Sequence, residues 1–338
     1  MRALIRYCAT PAGRVAYSTT GSGPALLCDS GWITHLRGQL DLFSFGAFVE
    51  GLARHFTVTR FDKPGCGLSD RDGADLSFDG QVAAALAVAD AVGADRFRLF
   101  GASQGGQLAV AIAARYPERA EALAVYGMCA DGRELAPADV RRSVVALVRA
   151  HWGMGLQALA SAFVTEPTAD DLAAFTRFQR ESSSAAVAAE LLEVYYDTDI
   201  RDLLATVRAP TAVLHREDDR GTRFDLGRAV AAGIPGAVLI PLPGSSHLYY
   251  HGDWEAVLAA VAGFLGQPSR RGQRLTDREF EVAELVTEGL TNHAIASRLA
   301  VAPRTVETHV ENIRRKLRVS SRAQIAAWTT EERLRQPS

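Results

Sequence analysis

Long apolar runs are missing from this sequence. No stretch reaches roughly 18 uninterrupted apolar residues, the length a membrane-spanning helix needs, and the segment after Met1 carries Arg2 and Arg6 without the apolar core of a secretory leader. A cytoplasmic chain with no membrane contact is the expectation. Cysteine is scarce and unpaired in pattern: Cys8, Cys28, Cys66 and Cys129 form no C-x-x-C motif and no Cys/His spacing of a zinc site. Free thiols in a reducing compartment follow, with no metal and no cofactor expected. Lysine is nearly absent, with only Lys63 and Lys316, and reads as the composition bias of a GC-rich genome. Charge of one sign is also lacking. Against 39 acidic residues stand 37 basic ones, a net charge of −2, which excludes a histone-like basic chain.

That near-zero charge is unevenly distributed. Residues 1–266 hold 24 basic and 30 acidic residues, whereas 267–338 hold 13 and 9, so −6 is followed by +4. At the join, Gly266-Gln-Pro-Ser-Arg-Arg-Gly272 has the polar, Pro- and Gly-bearing composition of a linker. Three parts are expected: a domain over 1–266, a linker over 267–273 and a small domain over 274–335.

In the first domain, Ala25–Cys28, Val58–Phe61, Phe97–Phe100, Leu123–Tyr126, Thr211–His215 and Val238–Leu242 are short apolar runs bounded by turn residues, as buried parallel strands are. Amphipathic stretches such as Gln81–Val92 separate them. The alternation predicts an α/β sheet covered by helices on both faces. Residues 131–205 break it with helical patterns alone, including Val144–Val148 and Ala185–Tyr196, and predict a helical lid.

Strand Phe97–Phe100 runs into Gly101-Ala-Ser-Gln-Gly105 and then into a helix. This is G-x-S-x-G in a strand–turn–helix setting, where small neighbours let a serine occupy a strained turn. Ser103 is the candidate nucleophile. The base and acid should follow it in the chain. His247 lies in the Gly/Ser loop after Val238–Leu242, with His251 as competitor; Asp219 follows Thr211–His215, with Asp218 and Asp131 as alternatives. Donors to an oxyanion are expected from the N–H groups of Trp32, in the Gly31 loop, and Gln104, although Trp32 would also serve as a packing aromatic.

These stretches, with Gly31-Trp-Ile-Thr-His-Leu36, Phe61-Asp-Lys-Pro-Gly-Cys-Gly-Leu-Ser69 and Ala209-Pro-Thr-Ala-Val-Leu-His-Arg216, resemble the α/β-hydrolase superfamily over about residues 15–266. The first two look most like hydrolase domains fused to signalling or transcription modules. Gly31, Trp152, Phe175, Tyr195 and Tyr249, with other lid aromatics, would line a pocket for a mostly hydrophobic small molecule. The same aromatics serve equally well as core. Arg141 and Arg149 in the lid are alternative carboxylate binders.

In the second domain, Thr276 and Glu279 form a capping-box pattern, Thr291 caps a second helix, Pro303 opens a third, and a fourth starts near Ser321 and ends around Trp328–Glu332. Short turns between short helices predict a helix-turn-helix. In the third helix, Val306, Val310, Ile313 and Leu317 share one face. Arg304, Thr308, Glu311, Asn312 and Arg315 share the other, a donor and acceptor mixture suited to base edges. Arg314, Lys316, Arg318 and Arg322 suit phosphates.

Leu275-Thr-Asp-Arg-Glu279, Glu288-Gly-Leu-Thr-Asn292, Arg304-Thr-Val-Glu-Thr-His-Val310 and Ser321-Arg-Ala-Gln324 resemble the LuxR-type DNA-binding domain over about 273–330, with His293 a departure from its usual longer polar residue. The resemblance implies double-stranded DNA as partner and dimers on paired half-sites. It places Glu307, Thr308 and Glu311 nearest the bases; Arg304, Asn312 and Arg315 of the same exposed face, with Thr305 and the flanking Lys316, complete the expected contact set. Together the two resemblances imply a DNA-binding regulator with a hydrolase-like sensing domain. The alternatives are an active esterase or lactonase coupled to DNA binding, and a purely structural hydrolase domain that serves dimerisation.

Overall fold

The computed structural model describes residues 4–267, 275–317 and 319–335. The chain divides into two compact units, with the boundary between Gln267 and Pro268.

The first unit is built on one eight-stranded sheet, in the order β1-β2-β4-β3-β5-β6-β7-β8. The strands are β1 (Arg6–Thr10), β2 (Gly13–Thr20), β3 (Ala25–Asp29), β4 (Thr57–Phe61), β5 (Phe97–Ala102), β6 (Ala120–Tyr126), β7 (Thr211–Arg216) and β8 (Val238–Leu242). From β4 to β8 neighbouring strands run parallel. β1 and β2 form an antiparallel hairpin that continues onto β4. This hairpin has no counterpart in the periodicity reading, because β1 is a polar, largely exposed edge strand.

Successive side chains of a strand point to opposite faces, and the core follows that rule. Cys28, Phe100, Ala124 and Leu214 join one buried cluster, while Leu27, Leu99, Val125 and Val213 join the other. On the first face, α1 (Phe45–Ala53) and α10 (Trp254–Leu265) contribute Phe48 and Val257. On the second, α2 (Phe78–Ala91), α3 (Gln104–Arg115) and α9 (Phe224–Gly233) contribute Val82, Leu108 and Val230.

Between β6 and β7 lie α4 (Ala138–Ala150), α5 (Trp152–Phe163), α6 (Ala169–Ser182), α7 (Ala185–Asp197) and the short α8 (Arg201–Leu204). Thr168 and Asp171 cap α6 reciprocally. A single antiparallel bridge between Asp131 and Asp199 joins the two ends of this insertion, reinforced by Arg133 and Arg201 on both carboxylates.

The second unit comprises α11 (Asp277–Thr287), α12 (Asn292–Leu299), α13 (Pro303–Leu317) and α14 (Arg322–Arg335). Thr276 and Glu279 complete the capping box of α11. Val306, Val310, Ile313 and Leu317 of α13 are buried against Val282, Ile295 and Ile325. Ala300, at φ +52°, turns the chain between α12 and α13 in the left-handed conformation. α14 runs three residues beyond the expected end, because a helix packed along α11 has no stop signal at Glu332.

Candidate active site and nucleic-acid interface

Ser103 stands between the last residue of β5 and the first of α3, at φ +53° and ψ −125°. Such a backbone costs of order 1–3 kcal/mol and is held by its surroundings. Its N–H donates to Tyr126 O at 2.9 Å. The glycines on either side are required by close approach: a Cβ on Gly101 would lie 2.2 Å from Gly105 O, and one on Gly105 would lie 2.5 Å from Asp29 O.

Three loops at the carboxyl ends of strands bring Ser103, His247 and Asp219 together. His247 Nε2 lies 3.0 Å from Ser103 Oγ, and His247 Nδ1 lies 3.0 and 3.1 Å from the two oxygens of Asp219. The Asp219 carboxylate also accepts the N–H groups of Gly221 and Thr222 at 2.8 and 3.0 Å. Burial works to raise its pKa, but His247, the Thr222 N–H and His215 outweigh it and hold the carboxyl below the usual range. An ionised Asp219 fixes the imidazole with Nδ1 protonated and Nε2 free to accept from the serine.

The alternatives lie elsewhere. Asp218 is exposed, Asp131 is engaged by Arg133 and Arg201, and His251 Nδ1 faces Ser246 Oγ at 3.2 Å. The His247 loop is pinned by groups that pattern reading passed over. Tyr126 Oη donates to Ser246 O at 3.1 Å, the buried Arg216 donates to Ser246 O and His251 O, and His247 N–H reaches Phe163 O at 3.1 Å.

A cavity of about 210 Å³ opens onto Ser103 and His247. Gly31, Trp32, Phe175, Tyr195 and Tyr249 line it. Trp152 does not: at the start of α5 it packs against the core, so its assignment to the pocket is corrected. Tyr195 reaches furthest, with its hydroxyl 3.3 Å from Ser103 Oγ. Burial pushes that phenol well above its ordinary pKa, so it stays protonated.

Gln104 occupies the first position of α3, where a backbone N–H has no intrahelical partner. Its side chain is buried beneath the site, donating to Gln81 Oε1 at 3.0 Å and accepting from Lys63 Nζ. Lys63 in turn pairs with Asp29 at 3.1 Å, and Asp29 Oδ1 accepts the N–H of Gly31 at 3.3 Å. This buried pair ties together the two segments that carry Trp32 and Gln104. The sequence held one signal for it, a lysine in a chain almost devoid of lysine. Among the described residues no group of three or more His, Cys, Asp or Glu side chains is placed to hold a metal.

On α13, Arg304, Thr305, Glu307, Thr308, Glu311 and Arg315 are exposed and Asn312 is half-buried. Arg315 donates to Asn312 Oδ1 at 2.8 Å, and Thr308 Oγ1 donates to Arg304 O at 3.0 Å. Two phosphate assignments change. Lys316 is bound to the carboxylate of Glu279, because the capping residue of α11 needs a counter-charge where α13 packs on it. Arg322 donates to Asn292 Oδ1 at 2.7 Å and to Leu290 O, and so braces the start of α12. Arg314 stays exposed, and Arg318 lies outside the described residues.

The sheet, the elbow and the loop-borne Ser–His–Asp arrangement define an α/β hydrolase, and the four helices define a helix-turn-helix module. Residues 24–252 match the family model of the alpha/beta hydrolase fold, and the chain belongs to that family. Residues 273–329 match the model of bacterial regulatory proteins, luxR family. A hydrolase structure from Pseudomonas aeruginosa PA01 is 26% identical, with a TM-score of 0.69, over 79% of this chain and 100% of that one. The AB hydrolase superfamily protein YisY of Bacillus subtilis is 25% identical over 220 residues, 62% of this chain and 82% of that protein. In the C-terminal module, a putative HTH-type transcriptional regulator of Mycobacterium bovis, Mb0914c, is 48% identical over 59 residues. That match covers 18% of this chain and 7% of the regulator's own length.

Proposed function

We propose that the chain is a DNA-binding transcriptional regulator whose α/β-hydrolase domain senses a small, mostly hydrophobic molecule. It acts in the cytoplasm as a homodimer on paired operator half-sites. The observation that carries this reading is the exposed polar face of α13 within a luxR-family module, in a chain whose other unit encloses an apolar cavity. In the complex α13 lies in the major groove. Arg304 and Arg315 donate to guanine edges, Glu307 and Glu311 accept from cytosine, and Thr308 meets a thymine methyl group. The test is selection of bound duplexes from a randomised DNA pool by the full chain. A recovered consensus with dyad symmetry is the expected result, and a pool that stays random would refute the reading.

A second reading rests on the 3.0 Å contacts along Ser103, His247 and Asp219. The domain hydrolyses an ester or lactone: His247 takes the serine proton as Oγ attacks the carbonyl, and the N–H groups of Trp32 and Gln104 hold the oxyanion. Turnover of activated esters by the wild type, lost in Ser103→Ala, is the expected result. No turnover of any acyl substrate would sink it.

A further inference from the structure

The two lid arginines suggested as carboxylate binders are committed elsewhere. Arg141 donates to Ala136 O at 3.1 Å and lies over the Tyr196 ring, and Arg149 donates to Glu193 Oε2 at 2.7 Å. Neither lines the cavity, whereas Arg220 does.

Arg220 sits on the loop between β7 and α9, directly after Asp219. Its N–H is fixed to Ser245 O at 3.3 Å. The next residue, Gly221, lies flat against the imidazole: a Cβ there would stand 2.6 Å from His247 Cγ. The loop that orients the imidazole therefore also places Arg220 among the residues that line the cavity. No Asp or Glu side chain lines the cavity. Glu217 and Asp218 share the loop, yet among the described residues Arg220 forms no ion pair with either. The remaining walls are mostly hydrocarbon, with Ile33, Phe178 and Leu248 beside the aromatics already named.

An arginine presents a fork of N–H donors that matches a carboxylate in two parallel bonds. A neutral acceptor would gain a weaker hydrogen bond from Arg220 than a carboxylate does, and a cationic ligand would be repelled by it. We propose that the cavity takes an apolar molecule bearing one carboxylate, with Arg220 as its recognition residue. This rests on the ligand-sensing reading above and names the chemical class of the ligand.

The full chain carrying Ser103→Ala, so that no probe is turned over, is titrated by calorimetry with straight-chain carboxylates from butyrate to decanoate and with their primary amides. At least one carboxylate should bind about tenfold or more tightly than its amide, as expected of a charge-assisted hydrogen bond. Adding Arg220→Gln should erase that difference while leaving the melting temperature unchanged, because the side chain is exposed. Arg220→Lys should keep part of it. Amides that bind as well as carboxylates, or a preference that survives Arg220→Gln, would overturn this inference alone. No binding by any acid or amide of the series would overturn both it and the ligand-sensing reading.

Discussion

Replacing Lys63 by methionine probes the buried pair beneath the candidate oxyanion segments. The Lys63 and Asp29 side chains are 0% and 3% exposed and 3.1 Å apart. Methionine keeps the stem but removes the charge, leaving Asp29 buried without its partner and Gln104 Oε1 without its donor. Breaking a buried pair in this way costs about 3–5 kcal/mol, a large fraction of the roughly 5–15 kcal/mol that holds a domain folded. By contrast, Lys63→Met with Asp29→Asn leaves no uncompensated charge, and Asn Oδ1 can still accept the N–H of Gly31. The double variant should therefore be more stable than Lys63→Met alone. The assay is urea unfolding of the transition belonging to the hydrolase unit, for both single variants and the double. The pH dependence adds a second check. Desolvation already raises the Asp29 pKa despite Lys63, and removing the lysine raises it further. A protonated Asp29 needs no counter-charge, so the deficit of Lys63→Met should shrink as pH falls, by up to about 1.4 kcal/mol per pH unit. A cost below about 1 kcal/mol, the level of an exposed pair, or a double variant as unstable as the two singles summed, would refute the reasoning.

Other consequences follow from the same geometry. If the domain turns over esters, Asp219→Asn should lower kcat by roughly 10⁴-fold, because the amide favours the wrong imidazole tautomer; DNA affinity measured in parallel should not move. Asp62 is pushed up to about 7, chiefly by burial. Its folded pKa thus lies above the unfolded value, and stability present at low pH is lost as pH rises toward about 7, at up to about 1.4 kcal/mol per unit. Asp62→Asn should remove that slope from a stability–pH curve, and an unchanged slope would contradict the assignment. On α13, Thr308→Ala and Arg315→Ala should each weaken specific DNA binding by about 1–3 kcal/mol. Arg314→Ala should reduce the salt slope by about one. Lys316→Ala, whose side chain is spent on Glu279, should lower stability and leave the salt slope alone, as a thermal melt and a salt titration would reveal.

What the sequence determined by itself is what depends on near neighbours. Strand runs such as Thr211–His215 are legible because a strand buried on both faces must be apolar throughout. The elbow at Ser103 is legible because only small residues fit beside a strained turn. The face of α13 is legible because helical periodicity fixes which side chains share it. The tertiary structure decided everything that rests on residues far apart in the chain. Asp218 and Asp219 are adjacent and chemically alike; what separates them is that the N–H groups of Gly221 and Thr222 turn one carboxylate inward to His247. Trp152 and Phe175 are both lid aromatics that pack in the same apolar cluster, and only helix packing gives Phe175 a face on the cavity as well. Lys316 and Arg322 look free to meet phosphates until α11 and α12 are folded against them. The pairing of Lys63 with Asp29 joins the segment after β4 to the end of β3. Because a charge is tolerated in that interior only when its partner is brought to it, no reading of either segment alone could have supplied that pair.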